Sequence, residues 1–284
     1  MTTDEDVYRL KRMHAIDPPE KAWKQFSPLF ELIPLRMANN SGAIENHTWI
    51  AGSSIFSQVS LDGNLHDHGE QHLGRSGDLL FVHRYLSGGA DGRSGDVPYM
   101  MRPGMMIFHD YGRAFEGIQL PSVIQSVYFR HDLVGYDPSG MPPQVMFDQN
   151  TPHGAALFAI FDELMPELLN GREALEKARV QRFADAVKAA LLSPNADMTD
   201  RVKVQRYIEE NLTDAELDES EIQSAFDMSR ARLFELLLPY GGFAQYVDTR
   251  RTFYAVKDLH QNIERRAHLD ETASRWGFAS EDEL

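Results

Sequence analysis

The sequence of 284 residues contains no cysteine. Without thiols there can be no disulfide, no thiolate zinc site and no cysteine nucleophile. Because a chain free of cysteine suits a reducing compartment, we expect a cytoplasmic protein.

Long apolar runs are also absent. The first twenty residues, MTTDEDVYRLKRMHAIDPPE, are polar and lack the apolar stretch of a signal peptide. No later run approaches the roughly 20 apolar residues that span a membrane. The sequence therefore predicts no membrane partner.

Basic residues are scarce. The 28 lysines and arginines stand against 43 aspartates and glutamates, which gives a formal net charge of -15. Contacts with nucleic-acid phosphates need local Lys and Arg, and a negative overall field slows the approach of DNA. Composition alone argues against a nucleic-acid partner.

The chain is long enough for two domains of about 100–200 residues each. Between about Phe30 and Leu133, turn sequences (DGN, SGGADGRSGD, RPG and QLP) separate six strand-like runs, which are FELIPL, TWIAG, SIFSQVSL, DLLFVHRYL, MMIFH and SVIQSVYF. Many short strands with Gly and Pro between them favour a sandwich or barrel over βαβ units. We predict an antiparallel β-barrel as the domain of residues 1–150.

Two helices are predicted in residues 151–194. Thr151 and Pro152 suit the N-cap and first turn of a helix whose apolar residues continue at helical spacing to Leu168. A second helix, from about Glu173 to Leu192, ends at Ser193-Pro194, and Pro194 and Asn195 mark the domain boundary. We assign these helices to linking and dimerisation.

The segment 195–284 carries the most specific signals. Thr199 is suited to cap a first helix. Asp218 and Glu221 then form a capping box, with Leu217 and Ile222 spaced as a hydrophobic staple. That helix ends near Asp227, a residue type that tolerates left-handed backbone geometry.

A second helix follows this turn at once. Ser229 is suited to cap it, and Met228 and Leu233 are spaced as a second staple. Two short helices joined by a tight turn form a helix-turn-helix. If Leu233, Leu236 and Leu237 face the core, the residues on the opposite face and in the first turn are candidates for contact with DNA, namely Ser229, Arg230, Ala231, Arg232, Phe234 and Glu235.

A longer helix from about Phe243 to Leu259 looks like a spacer, and a short helix, LDETASRW, stops at Gly277. Ser280 and Glu283 then form another capping box. Arg251 and Arg275 are weaker candidates for DNA contact. For Arg250 and Arg251 the alternative is a buried ion pair with a neighbouring acid, and we expect a structural role for at least one of them.

The run from YIEENL through IQSAFDMSRARLFELLLPYGGFAQYVDTRR to LDETASRWGFAS resembles the DNA-binding domain of AraC-type (AraC/XylS) transcriptional regulators. That domain has two helix-turn-helix units joined by a long helix. Family members carry a small residue where Gln223 stands and Gly where Asp227 stands. They also continue beyond GFAS with a complete second unit, so the resemblance implies an incomplete, truncated or degenerate second unit here.

The stretch from RSGDLLF to HDYGRAF resembles the cupin-like sensor domain of the same family. The resemblance implies a domain that binds a small effector or contacts another subunit. Five residues of the predicted strands are candidates to line an effector pocket, and for each the alternative is that it only fills the core. They are Phe81, His83, Tyr85, Phe108 and Tyr111. For His83 a partnered core histidine is the favoured reading.

The segment HDHGEQH would place His66, His68, Glu70 and His72 on one face of a strand. Cupin enzymes use an HxH pair, a Glu and a later His, for which His109 is the nearest equivalent. Imidazole and carboxylate groups ligate zinc or iron. Because Glu70 comes too early and Gly69 suits a solvated loop, His66, His68 and His72 are weak metal candidates with exposed rings, and we predict no metal or cofactor.

Taken together, the sequence predicts an α+β multidomain protein that is not an enzyme. The expected function is sequence-specific transcriptional regulation in response to a small molecule, with promoter DNA and the effector as partners. The expected assembly is a homodimer formed through helices in 151–192, and RNA polymerase is a further expected partner. The alternatives are a cupin-type metal-dependent enzyme and a partner that dimerises with an intact regulator without binding DNA.

Overall fold

The structure is a computed structural model, and it describes residues 4–17, 31–35, 44–193, 196–261, 269–278, 280 and 282. The chain divides into two compact units. The first comprises Met1–Gly95 and Met101–Pro194, and the second comprises Asp96–Met100 and Asn195–Leu284.

The described chain forms strands of three to nine residues. In chain order they are β1 (Val7–Arg9), β2 (Lys11–Asp17), β3 (Glu31–Pro34), β4 (Ile44–Ala51), β5 (Ser54–Leu61), β6 (Asn64–His68), β7 (Leu79–Ser87), β8 (Ala90–Ser94), β9 (Val97–Met101), β10 (Met105–Asp110), β11 (Phe115–Gln119), β12 (Ser122–Arg130), β13 (Gln144–Asp148) and β14 (Ala174–Glu176). Each of the six strand-like runs predicted from the sequence overlaps one of these strands, and Phe30 lies outside the described residues.

The strands form two main antiparallel sheets. The order in the larger sheet is β13-β10-β7-β12-β5-β4-β2, and the order in the smaller is β3-β6-β11-β8-β9. Strands β1 and β14 pair separately. The predicted cupin-like antiparallel domain is confirmed, but the barrel is not closed, because the described strands of the two sheets do not pair with each other.

The glycine-rich segment SGGADGRSGD, predicted as a break between strands, contains strand β8. Strand β8 pairs with β11 along its whole length, and Gly92 lies opposite Gly117. Backbone hydrogen bonds make this pairing, so it leaves little signal in the side-chain pattern. The prediction of a break was wrong at this strand.

In the described part of the first unit the α-helices are α1 (Glu70–Ser76), α2 (His131–Val134), α3 (Pro152–Leu169) and α4 (Lys177–Leu192). The predicted cap of α3 is confirmed, because Thr151 Oγ1 accepts a hydrogen bond from the Gly154 N–H. Helix α4 begins later than predicted. The residues predicted to form its first turn form strand β14 instead, and the backbone of β14 pairs with β1.

Helices α3 and α4 pack on one face of the larger sheet. Their apolar residues join the sheet's buried core, and Phe183 of α4 contacts the rings of Phe56, Phe129 and Phe161. The apolar stripes that the sequence assigned to dimerisation are therefore used inside the chain's own first unit.

The second unit contains α5 (Ala196–Glu210), α6 (Glu219–Phe226), α7 (Arg230–Leu237), α8 (Phe243–Gln261) and α9 (Leu269–Arg275). The predicted helices are confirmed, with one correction. Helix α5 begins at Ala196, so Thr199 lies inside it and is not its N-cap. Within the described part of the chain, no helix combines the length and apolar character needed to cross a membrane.

Candidate nucleic-acid interface and sheet interior

Helices α6 and α7 form the predicted helix-turn-helix. Asp218 Oδ1 accepts a hydrogen bond from the Glu221 N–H at 2.9 Å at the start of α6. At its end Asp227 adopts the left-handed conformation, with φ 49° and ψ 46°. Ser229 Oγ then accepts from the Arg232 N–H at 3.2 Å and caps α7. The local signals read from the sequence therefore set the geometry of this motif.

Helix α7 has one buried and one exposed face. Leu233, Leu236 and Leu237 are buried, as predicted. On the other side Phe234 is 55% exposed, and Ala231 and Glu235 are also exposed. Since Ser229, Arg230 and Arg232 lie at the same end, the structure brings six predicted contact residues together around the start of α7.

The two arginines of this surface have acidic partners. Arg230 Nε lies 2.9 Å from a carboxylate oxygen of Glu219. Arg232 lies 3.0 Å from Asp200 and 3.8 Å from Glu235. Surface ion pairs of this kind contribute about 0–1 kcal/mol and are screened by salt. Another anion, such as a phosphate, can therefore replace either carboxylate at little cost.

Arg250 of α8 is fully buried and has a structural role. Its guanidinium donates two hydrogen bonds to the Glu209 carboxylate, one of them 3.0 Å long, and its central carbon lies 4.5 Å from the Phe253 ring centre. Tyr254 Oη also donates to Glu209, at 2.5 Å. Burial lowers the pKa of Arg250, but the adjacent Glu209 carboxylate outweighs this and holds that pKa above its usual value.

Arg251 is held by backbone carbonyls. Its Nε donates to the Leu212 carbonyl at 2.9 Å and its Nη2 to the Asp214 carbonyl at 2.7 Å. A third contact reaches the Gly277 carbonyl at 3.5 Å. A structural role was expected for at least one of Arg250 and Arg251, and both arginines have one. The bonds of Arg251 to backbone carbonyls argue against its predicted contact with DNA.

Arg275, the remaining DNA candidate, lies at the end of α9. Its Nη1 is 3.2 Å from Asp258, and about half of its side chain is exposed. Trp276 Nε1 donates to the same carboxylate at 3.1 Å. Gly277 ends this segment with a positive φ of 76°. The predicted capping box at Ser280 lies partly outside the described residues, because Glu283 is not among them.

The inner face of the larger sheet carries aromatic and imidazole rings. Alternation along β7 points Phe81, His83 and Tyr85 to one side, while Leu80 and Val82 join the core beneath α3 and α4. The centre of the Phe81 ring lies 4.2 Å from that of His83 and 5.3 Å from that of Tyr111. Four of the five predicted effector residues therefore lie together.

Phe108 is the exception. It lies opposite Val82 in the pairing of β10 with β7, and its ring packs 4.9 Å from Phe147 in the core beneath the helices. Neighbouring residues of a strand point to opposite faces, so His109 faces the inner cluster and Phe108 cannot. Phe108 is a core residue, and the effector prediction for it was wrong.

The HDHGEQH segment is neither one strand nor an exposed loop. Strand β6 ends at His68 and α1 begins at Glu70. His68 and His72 are both buried, and their ring centres lie 5.8 Å apart. His68 Nε2 lies 2.8 Å from the Tyr111 carbonyl, to which it donates. The expectation of exposed histidine rings was wrong for both: Phe115 and Tyr111 pack against His68, and His72 stacks on His68.

Burial keeps several inner imidazoles neutral. It lowers the pKa of His66 to about 4, although Glu116 opposes this, and the pKa of His83 to about 3. Burial also holds the pKa of His109 well below 6.5. These rings do not converge as a cupin metal set: among the described residues the one group of three with ligand atoms within 4.8 Å is His14, Glu45 and His47.

Among solved structures, this chain is similar to the AraC-like transcriptional activator CuxR, with a TM-score of 0.57 and 20% sequence identity. The match covers 85% of this chain and 94% of that one. The chain therefore has the fold of an AraC-like transcriptional activator, a cupin-like domain followed by a helical domain with a helix-turn-helix.

Two further similarities are weaker. ToxT from Vibrio cholerae O395 matches at a TM-score of 0.30 and 14% identity, over 98% of this chain and 91% of that one. The protein Ylba from E. coli matches at 0.29 and 14%, over 42% and 52%. TM-scores this low support no conclusion about this chain. No family model and no curated protein matches the sequence.

Proposed function

We propose that this chain is a transcriptional regulator that binds DNA through the helix-turn-helix formed by α6 and α7. The observation that carries the proposal is the exposed face of α7, which is capped at Ser229 and presents Arg230, Ala231, Phe234 and Glu235 away from its buried leucines. The first turn of a recognition helix is the part that meets base edges in the major groove. The fold shared with an AraC-like transcriptional activator supports the same function.

The charges around α7 fit a specific and salt-sensitive interaction. Glu219 and Asp200 neutralise Arg230 and Arg232 in the free protein. DNA phosphates would replace these carboxylates and add contacts with the free N–H groups of the helix start. Because the carboxylates repel DNA where the fit is poor, non-specific binding should be weak.

The proposed division of labour follows the predicted domains. Residues 1–150 sense a small-molecule effector through the inner cluster of Phe81, His83, Tyr85 and Tyr111. Residues 151–194 link the domains and dimerise, and residues 195–284 bind promoter DNA. Exposed surface is available for dimerisation at the end of α4, where Leu192 is 61% exposed. A cytoplasmic location and contact with RNA polymerase complete the proposal, which includes no catalytic step.

The test is selection of binding sites from random duplexes by the full chain, followed by fluorescence anisotropy on the selected and scrambled sequences. We expect a selected consensus and an affinity that falls steeply as salt rises. Failure to enrich any sequence, together with equal affinity for the scrambled duplex, would refute sequence-specific binding.

Two variants locate the interface. Arg230→Ala should weaken binding to the selected duplex by about 1–3 kcal/mol. The matched control is Arg130→Ala, which removes a half-exposed arginine at the end of β12 that pairs with Asp78. If both variants bind equally well, α7 is not the recognition helix.

A further inference from the structure

A cluster of side chains of the types that ligate metals lies on the larger sheet, away from the inner rings. His14 on the edge strand β2 pairs directly across from His47 on β4. Glu45 precedes His47 by two residues and so shares its face. The three side chains lie together, although His14 and His47 are 33 positions apart in the sequence.

The distances between the ligand atoms suit a small tetrahedral ion. Glu45 Oε1 lies 3.3 Å from His14 Nε2 and 3.1 Å from His47 Nε2. Ligands that bind zinc at about 2.0–2.1 Å in a tetrahedron lie about 3.3 Å from each other. Both imidazole nitrogens therefore already lie at the distance from the carboxylate that zinc requires, and all the ligand atoms lie within 4.8 Å of one another.

The surroundings leave this cluster accessible and require only a local side-chain rotation. The imidazole rings of His14 and His47 are stacked with centres 4.1 Å apart and nearly parallel planes, so one ring must turn before both nitrogens can point at one ion, while His47 also stacks on the buried ring of Trp49. The side chains of His14 and Glu45 remain 42% and 43% exposed, so an ion can reach them from solvent. Two imidazoles and one carboxylate also leave a fourth position for water or another ligand.

We propose that His14, Glu45 and His47 form a binding site for a divalent transition metal ion, with zinc as the best fit. Binding replaces the hydrogen bonds between Glu45 and the two imidazoles by three bonds to the ion, and any proton on a ligating nitrogen is released to solvent. Because β2 is an edge strand that pairs with β4, the ion would tie this strand to the sheet. Bound zinc should therefore raise the melting temperature.

The test uses the full chain without a histidine tag, titrated with zinc chloride by calorimetry. We expect binding by the unsubstituted protein and at least about tenfold weaker binding by His14→Ala and Glu45→Gln. The matched control, His153→Ala, removes a partly exposed imidazole at the start of α3 and should bind zinc normally. Zinc should raise the melting temperature of the unsubstituted protein and of the control, but not that of His14→Ala.

Two results would overturn the proposal. One is no zinc binding by the unsubstituted protein at 100 µM metal. The other is an unchanged affinity in His14→Ala, which would place the ion elsewhere, for example among the inner histidines. A further variant tests the electrostatics: Arg12 shares the face of His14 two residues earlier, so Arg12→Gln should tighten binding, and weaker binding would count against the site.

Discussion

Arginines on two neighbouring helices of the second unit have opposite environments. Arg230, in the first turn of α7, is 81% exposed beside a surface glutamate. Arg250, in the middle of α8, is fully buried and bound to Glu209. The same side chain is thus available to a partner in one helix and committed to the fold in the other. Position on the helix face, rather than residue type, separates a proposed recognition residue from a structural one.

The physical reason lies in what each ion pair replaces. When an exposed ion pair breaks, water hydrates both charged groups, so the loss of stability is small. A buried pair has lost its water, and removing one partner leaves a charge that neither solvent nor protein satisfies. We therefore expect substitutions on α7 to change binding and substitutions on α8 to change stability.

The largest expected effect is that of Arg250→Met. It leaves the Glu209 carboxylate without its guanidinium partner and should lower the free energy of unfolding by about 3–5 kcal/mol. Urea denaturation followed by circular dichroism measures this. The matched control, Arg230→Met, should change stability by less than about 0.5 kcal/mol. Equal losses in the two variants would remove the contrast between the helices.

The second prediction extends the contrast to buried imidazoles. Burial lowers the pKa of His66 to about 4 and of His83 to about 3, from 6.5. Above pH 6.5 both rings are neutral in the folded and unfolded chains. As pH falls below 6.5 the unfolded chain takes up protons first, so stability should decrease progressively towards pH 4 and lower, by roughly 1.4 kcal/mol per pH unit for each ring.

Urea denaturation between pH 7 and pH 4 checks this dependence. His83→Phe removes one of these buried imidazoles and should flatten the loss of stability with falling pH. His153→Phe, at a partly exposed position on α3, should leave the slope unchanged. A slope that His83→Phe does not alter would show that this ring does not stay neutral on folding.

A smaller effect is expected at the start of α7. Ser229→Ala removes the hydroxyl that accepts from the Arg232 N–H and should cost about 1 kcal/mol. Thermal unfolding measures the loss. Ser224→Ala is the control, because that exposed serine lies inside α6 and bonds the Ser220 carbonyl of its own helix. If the two variants lose the same stability, Ser229 does not act as a cap.

The smallest effect concerns the turn. Asp227 is the one residue other than glycine with positive φ in the described chain. Asp227→Gly should stabilise the protein by about 0.5 kcal/mol, since the left-handed strain removed exceeds the entropy that glycine loses on folding. Chemical denaturation measures this gain. Gly241→Ala should instead destabilise the protein, because alanine would be strained at a φ of 84°. A loss of stability in Asp227→Gly would mean that the aspartate side chain itself supports the turn.

Much of the helix-turn-helix was predictable from the sequence. Asp218, Asp227 and Ser229 act on backbone groups within four residues of themselves, and all three took the conformations expected of them. The buried leucines of α7 followed from helical periodicity in the same way. Signals of this kind are local, so they depend little on the rest of the fold.

The sheets were predictable only in part. The six apolar strands were found because their side chains alternate, whereas β8 and β14 are held by pairing with distant strands. The placement of Phe108 was wrong for a related reason. Phe108 and His109 point to opposite faces of the sheet. Only the orientation of their strand in the sheet decides that His109, and not Phe108, points to the inner cluster.

The sequence by itself determined the α+β class, the caps at Thr151, Asp218 and Ser229 and the position of the proposed recognition helix, because each depends on contacts between near neighbours in the chain. The tertiary structure decided which basic groups are buried. Arg250 meets Glu209 across 41 residues, and His14 meets His47 across 33. Such partners meet only when distant segments of the chain pack together. Packing also decides whether water solvates a charge, and this difference separates the exposed arginine of α7 from the buried arginine of α8.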